Sequence, residues 1–340
     1  MTHILRQYLP DLIRFSTGLS RKTRPFFLNC EPTLRCNFRC SFCNIPGNNP
    51  LPQEAAPEVL EARIEECYRM GCRIVSFTGG EPLMYNGIGR LVEKCHELRY
   101  YTGLVTNGFL LNNFLDAEWP GKLDLLAISF IDDETAFTAS RGHATAYGVV
   151  KKNIHDAVER GLSPVFYSAL TEDTLVHAEK TAAFAQSLGI ATYFSFVLKT
   201  PREGLDTVNW DAQKISNTEK AISHLSAIRD IYKGVHFHPD IERLQVSGGF
   251  NKKVRCQAAR TVVSLKPDGS VSLPCYIKTV HSIPPGTALA CGWKSAVAVR
   301  VREACGRMEC CIGCMNACMY APSLIGNPIR ILRWIRNSKP

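Results

Sequence analysis

The chain has 340 residues, 45% of them apolar and 21% charged, with a formal net charge of +9. That composition excludes disorder, collagen-like repeats and low-complexity architecture, and the length suffices for one large domain, alone or with a smaller appendage. No apolar run approaches the roughly 18 to 20 residues that cross a bilayer, and no uninterrupted apolar stretch precedes a small-residue cleavage site, so the expected location is the cytoplasm.

Residues 1–25 read as a basic amphipathic segment, with Ile4, Leu5, Tyr8, Leu9, Leu12, Ile13 and Phe15 at roughly helical spacing among Arg6 and Arg14. From Phe26 onward, short apolar or β-branched runs alternate with helical patterns. A first strand starts at Phe26–Leu28, and further strands are expected at Arg73–Phe77, Leu104–Thr106, Leu125–Phe130, Pro164–Ala169 and Thr192–Val197. Helices are expected at Ala55–Met70, Ile88–Leu98, Ala146–Arg160 and Leu175–Leu188, with Gly71, Gly161 and Gly189 as stops. Such alternation implies right-handed βαβ units and a parallel sheet, here a partial (β/α)6 barrel of the α/β class.

After Val197 the rhythm breaks. Ile215–Ile231 reads as one more helix, and then Thr261–Leu265 and Ser270–Leu273 flank Pro267-Asp268-Gly269, a good hairpin turn. The expected organisation is a barrel over 26–231, a small cysteine-rich extension over 232–320, and a basic amphipathic tail over 321–340. In that tail Ile329, Ile331, Leu332, Trp334 and Ile335 interleave with Arg330, Arg333 and Arg336.

Charge concentrates at the ends. Residues 1–35 carry +4 and residues 321–340 another +4, which leaves the body near neutral at +1. Basic amphipathic ends suit a membrane interface, giving a peripheral position on the inner face; they suit equally well docking on the protein's own core with the cations facing water. The near-neutral body has no basic stretch interleaved with stacking aromatics, so no nucleic-acid partner is expected. A P-loop, a GxGxxG turn after a strand and a GxSxG elbow are missing from the sequence.

Fifteen cysteines in a reducing compartment point to metal ligation sooner than to disulfides. Seven lie between Cys30 and Cys95, and eight between Cys256 and Cys318. Cys36, Cys40 and Cys43 follow the first expected strand, at a strand mouth where parallel α/β folds bind ligands. Three thiolates on one loop can hold three irons of a cubane cluster and leave the fourth open; a zinc loop with a fourth ligand from elsewhere is the alternative. Cys30, Cys67, Cys72 and Cys95 fall on expected strand or helix faces and read as core thiols. His236 and His238 read as a solvated or core pair sooner than as ligands.

The sequence CxxxCxxC with Phe42 before its last cysteine resembles the signature of the radical S-adenosylmethionine (SAM) enzymes. Gly79, Gly80, Glu81 and Pro82 follow the second expected strand, where that family has its GGE motif. The resemblance implies that Cys36, Cys40 and Cys43 hold a [4Fe-4S] cluster and that the Gly79–Pro82 loop, Glu81 included, binds the amino group of the methionine moiety. Asn107 in Thr106-Asn107-Gly108, Ser129 and Arg141 resemble further SAM-contacting positions of the family, whose usual SLDG reads Ser129-Phe130-Ile131-Asp132 here.

The late cysteines resemble the auxiliary-cluster extension called SPASM, or its shortened twitch form. A cysteine (Cys256) precedes the hairpin, Pro274-Cys275 follows it, and a CxxCxxxC run spans Cys311, Cys314 and Cys318. The resemblance implies one auxiliary [4Fe-4S] cluster, with Cys256, Cys275, Cys311 and Cys314 as first-choice ligands and Cys318 and Cys310 next. A structural zinc is the alternative. Cys291 and Cys305 remain open as further ligands or buried thiols.

By this resemblance the protein cleaves SAM reductively to a 5′-deoxyadenosyl radical that acts on an unactivated carbon or an alkene, fed by a one-electron reductant of flavodoxin or ferredoxin type. The basic ends, together with similarity to hopanoid-pathway members in Glu31-Pro32-Thr33-Leu34-Arg35-Cys36 and in Cys311–Tyr320, favour a membrane lipid or isoprenoid substrate. Peptide or tetrapyrrole modification, and a non-catalytic iron–sulfur carrier, are the other readings.

Overall fold

A computed structural model describes residues 25–43, 45, 53–197, 215–239, 242–243, 256, 258–308 and 311. The two basic terminal segments and Cys310, Cys314 and Cys318 lie outside the described residues.

The sheet is built from β1 (Phe27–Thr33), β2 (Ile74–Gly79), β3 (Tyr101–Thr106), β4 (Leu125–Ile128), β5 (Val165–Leu170) and β6 (Thr192–Phe196). These pair in sequence order, all parallel, as alternation with helices requires. The intervening helices are α1 (Pro57–Met70), α2 (Ile88–Glu97), α3 (Glu134–Arg141), α4 (Ala146–Glu159), α5 (Glu172–Leu175) and α6 (Ala178–Ser187), followed by α7 (Thr218–Ile231). The protein is a mixed α/β structure with the six-stranded parallel core of a partial barrel. Two helical details differ from the periodicity. The expected Leu175–Leu188 helix is present as α6, starting three residues later, and is preceded by the separate turn α5, which a reciprocal cap between Thr171 and Thr174 starts. The eight-residue α3 is too short to give a clear period, although Asp133, which accepts from Ala136 N, and left-handed Gly142 mark its ends.

Beyond β6, β7 (Val235–His236) extends one edge of the sheet. At the other edge β8 (Val262–Leu265) lies parallel to β1, with Phe27 opposite Val262 and Cys30 opposite Leu265. β9 (Val271–Pro274) and β10 (Thr279–Ile283) continue antiparallel from β8, giving the order β10-β9-β8-β1-β2-β3-β4-β5-β6-β7. The expected hairpin around Gly269 is therefore present and is continuous with the barrel sheet. Arg63 of α1 ties it down: this fully buried guanidinium donates to the carbonyls of Gly269 (3.0 Å), Thr287 (3.0 Å) and Pro284. Two short helices, α8 (Leu289–Lys294) and α9 (Ala296–Ala304), follow.

Alternation along the strands decides what each face sees. Leu28, Cys30, Val75, Phe77, Leu104, Leu126, Ile128 and Phe166 pack against Leu60, Ile64, Leu91, Val150 and Ile154 of the helices. Cys30, Cys67, Cys72 and Cys95 are fully buried in this core, and burial pushes the thiols of Cys30, Cys72 and Cys95 up. Residues of the opposite parity, among them Ser76, Thr78, Tyr167, Tyr193 and Ser195, face the inside of the partial barrel and are only partly covered or exposed.

Candidate functional site: the thiol loop at the strand mouths

The loop after β1 is anchored by the third residue of its Cys36–Cys43 stretch. Phe38, between Cys36 and Cys40, is 1% exposed and packs edge-on to Phe109 (5.7 Å between centroids) and Phe137 (6.4 Å). Burying a ring of that size fixes the loop and leaves its neighbours Cys36, Cys40 and Cys43 half-buried at the mouth. Backbone bonds lock the far side: Arg39 N donates to Arg141 O (3.1 Å), Ser41 N to Ser140 O (2.9 Å) and Cys43 N to Cys40 O (3.0 Å). On the near side, Arg35 forms a two-pronged pair with Glu54 (2.7 and 2.8 Å) and donates to Met84 O (2.8 Å).

The glycine loop lies against this thiol loop. Gly80 N donates to Thr33 O (3.0 Å) and Glu81 N to Arg35 O (2.7 Å). A Cβ on Gly80 would sit 2.1 Å from Arg35 O, and one on Gly79, whose φ is +114°, 2.3 Å from Thr33 O. Glycine is required at both positions because two backbones meet there without room for a side chain.

Glu81, 1% exposed, spends its carboxylate on the protein itself. Oε1 accepts from Leu83 N (3.1 Å) and Thr106 Oγ1 (2.7 Å), and Oε2 accepts from Asn107 N (2.7 Å). Burial outweighs these donors and pushes its carboxyl up to about 7. Pro82, also buried, opens the short turn that Glu81 caps. Asn107 in turn donates to Asn37 Oδ1 (2.7 Å), with the same Nδ2 at 3.9 Å from Cys36 Sγ. Glu81 and Asn107 thus bind the loops after β1, β2 and β3 into one unit.

Arg141 closes the other side. It is 2% exposed, stacks on Phe42 (4.7 Å to the ring centroid) and brings Nη1 to 3.8 Å from Cys40 Sγ. Its Nε is buried without a hydrogen-bond partner, and no carboxylate pairs with the guanidinium among the described residues. Ser129 stands apart from this unit, tied to Thr106 O through its N–H (2.9 Å) and to Tyr167 O through its hydroxyl (3.4 Å). Asp132, in the same loop, pairs with Lys151 and Tyr147 (both 2.6 Å).

These residues fit an anionic, thiolate-held cluster. Two N–H donors aim at cysteine sulfurs, and a buried cation without a counter-ion lies beside them. Among the described residues no three His, Cys, Asp or Glu side chains converge on one ion-sized point, a geometry that a single zinc needs and a cubane, whose thiolates each hold a separate iron, does not. Burial foremost, then Glu81, Cys40 and Cys43, push the Cys36 thiol up to about 12, so iron binding must release its proton. Phe38, Thr106 and Glu54 were not singled out by the motif; the only sequence signal for Phe38 is an aromatic inside CxxxCxxC.

A sequence profile of the Radical SAM superfamily matches residues 30–185, the span that carries all of these loops. That span, a little under half of the chain, matches as a radical SAM domain. Relatives include a protein of Methanothermobacter marburgensis named "Probable GTP 3',8-cyclase", 25% identical over 280 residues that cover 78% of this chain and 88% of the relative. One of the same name from Methanopyrus kandleri is 30% identical over 161 residues, 46% of this chain and 51% of the relative. Among solved structures, Streptococcus suis SuiB bound to S-adenosylmethionine superposes with a TM-score of 0.64 at 16% identity, covering 83% of this chain and 68% of that one. The structure of anSMEcpe with bound AdoMet and a peptide gives 0.62 at 15% identity, covering 93% of this chain and all of that one. These likenesses place the fold among radical SAM enzymes, which use SAM and a [4Fe-4S] cluster.

The second group of cysteines is only partly described. Cys256 and Cys305 are buried, Cys275 and Cys311 half-buried, and Cys291 exposed on α8. Cys256 and Cys305 share one buried cluster with Ala258 and Val262 at the β1–β8 seam, and Cys275 and Phe27, partly buried, pack against it. Cys314 and Cys318 lie outside the described residues. His236 stacks on Tyr193 at 4.5 Å between ring centroids.

Proposed function

We propose that Cys36, Cys40 and Cys43 hold the SAM-cleaving [4Fe-4S] cluster and that the radical generated there acts on a polar, ring-bearing small molecule held on the inner face of the sheet. When bound, the cluster supplies one electron to the sulfonium of SAM, giving methionine and a 5′-deoxyadenosyl radical. The chain's part is to hold and orient. Gly79 and Gly80 let the β2 loop close directly on the thiol loop, with Pro82 and Glu81 setting its path, while Phe42, Asn107, Ser129 and Arg141 border the same mouth. An auxiliary iron–sulfur site in the cysteine-rich extension, and an external one-electron reductant, complete the reading.

The observation that carries the substrate class is the lining of the inner face. Ser76, Thr78, Tyr167, Tyr193, Ser195 and His236 offer hydroxyls and ring faces, and Tyr167 is 44% exposed. Hydroxyls orient a substrate through hydrogen bonds, and the tyrosines can stack on a planar ring. The basic ends that favoured a lipid lie outside the described residues. No helix among the described residues is long and apolar enough to cross a membrane. The relatives named for a GTP cyclase make purine nucleotides the first compounds to try. The test is anaerobic turnover of the reconstituted protein with SAM and dithionite against GTP, ATP, a cysteine-containing peptide and a lipid extract. Deoxyadenosine rising with a nucleotide supports the reading; a rise confined to lipid or peptide refutes the substrate class.

A further inference from the structure

One row of the sheet's inner face is polar across four strands. Ser272 of β9 lies opposite Ser264 of β8, Ser264 opposite Asn29 of β1, and Asn29 opposite Ser76 of β2. Their neighbours along the strands, Leu28, Cys30, Val75, Phe77, Val263 and Leu265, belong to the core packed under the helices, so alternation turns this row to the interior. Two of its members have bonding capacity left over. Asn29 is 6% exposed and Ser264 1%, yet Asn29 Nδ2 and Ser264 Oγ have no hydrogen-bond partner among the described residues. The hydroxyl of Ser272, by contrast, is bonded to Cys275 O (2.8 Å) and Thr279 Oγ1 (2.6 Å). Buried polar groups are as a rule paired, so two orphans side by side mark a place where a further molecule completes the bonding.

The surface beside the row is kept bare. Next to Ser76, on β3, stands Gly103. Its φ is not left-handed, and a Cβ there would meet nothing closer than Val75 O at 3.6 Å, so neither backbone nor crowding demands glycine. A glycine inside a strand whose pairing has no bulge leaves room for a ligand to lie against the backbone. One row nearer the thiol loop, Lys266 pairs with Glu31 (3.7 Å), which adds no net charge. The row also lies between the two cysteine groups. Phe27 and Val262, two residues back along β1 and β8, border the group of Cys256 and Cys305, and Thr33, roughly 13 Å further along β1, leads into the thiol loop.

We propose that Asn29 and Ser264, with Ser76 beside them, form the subsite for the vicinal diol of a pentose carried by the substrate. This rests on the reading that a polar, ring-bearing molecule, a nucleotide foremost, occupies the inner face. A sugar hydroxyl accepts from the Asn29 amide and both donates to and accepts from a serine hydroxyl, whereas a charged group would find only an ion pair already closed.

The test is calorimetric binding to the reconstituted full chain without reductant, under saturating SAM so that the ribose of SAM does not compete. The probes are GTP, ATP and their 2′,3′-dideoxy analogues. A ribonucleotide should bind about tenfold more tightly than its dideoxy form, and Asn29→Ala and Ser264→Ala should each remove most of that preference while leaving the dideoxy form bound as before. Without nucleotide, Ser264→Ala should keep or raise the melting midpoint, because it deletes a hydroxyl that has no partner; this separates a lost contact from a lost fold. Equal binding of ribo and dideoxy forms by the parent would mean that the two atoms hold water only, overturning the subsite while the nucleotide reading stands. A ribose preference that survives both substitutions would also overturn it, by placing the diol elsewhere. Binding of neither nucleotide would overturn both.

Discussion

Replacing Gly80 by alanine tests the junction between the glycine loop and the thiol loop. The new Cβ would sit 2.1 Å from Arg35 O and 2.6 Å from the carbonyl carbons of Leu34 and Arg35, all backbone atoms that cannot swing aside. Reaching an ordinary contact of about 3.3 Å requires the loops to part by roughly an ångström, which stretches the Gly80–Thr33 and Glu81–Arg35 hydrogen bonds. Losing two such bonds at about 1 kcal/mol each, with about 1 kcal/mol of residual strain, gives a cost of about 3 kcal/mol. With an unfolding entropy of about 2.1 cal/mol/K per residue, a chain of 340 residues has roughly 0.7 kcal/mol/K, so the melting midpoint should fall by about 4 °C. Gly148, inside α4 with no atom within 4 Å of the place a Cβ would take, is the matched control. Gly148→Ala should gain about 0.5 to 1 kcal/mol, a rise of about 1 °C. The assays are thermal scans under anaerobic conditions and iron per chain after reconstitution, where Gly80→Ala should also lose iron because Cys36 adjoins the displaced Arg35. Equal midpoints and equal iron for the two variants would refute the close approach.

Three further outcomes follow from the same geometry. Phe38→Ala should cost about 3 to 5 kcal/mol, the range for a buried phenylalanine, and lower iron occupancy with it, read by the same two assays. Glu81 has a folded pKa of about 7, above the ordinary glutamate value, so its contribution is present below about pH 4.5 and lost as pH rises through 7. Stability of Glu81→Gln relative to the parent should therefore improve by about 3 kcal/mol between pH 4.5 and pH 8; a pH-independent difference would contradict the burial argument, and Glu242, also at about 7, cancels because both proteins keep it. Arg141→Met should raise the midpoint of the metal-free protein or leave it unchanged, by relieving an unpaired buried cation, yet shift the reduction potential of the loaded cluster downward.

The local parts of the site were legible in the sequence, and the parts made by adjacency were not. Cys36, Cys40 and Cys43, and Gly79 to Pro82, lie within single loops after single strands, so spacing and strand position already put them together at the strand mouths. The bond from Asn107 N to Glu81 spans 26 residues and exists because β2 and β3 are neighbours, which no motif states. The six-strand parallel core followed from alternation, but alternation does not say which edge a later hairpin joins. That β8 lies beside β1 depends on in-register pairing and on Arg63 reaching Gly269, 206 residues away. Cys305 has no motif around it at all; only the return of α9 to the β1–β8 seam brings it to Cys256. The SAM-contacting role expected for Glu81 is joined by a structural one, since both of its oxygens already bind the chain.

The most direct test of the central claim is 5′-deoxyadenosine formation, measured by mass spectrometry after anaerobic reconstitution and reduction in the presence of SAM, for the parent and for Cys40→Ala. The parent should release deoxyadenosine and methionine, and Cys40→Ala, folded but without the cluster at Cys36, Cys40 and Cys43, should release neither. Deoxyadenosine at the parent rate from Cys40→Ala, or none from a parent carrying its full iron with any substrate offered, would contradict the assignment of this loop as the SAM-cleaving centre.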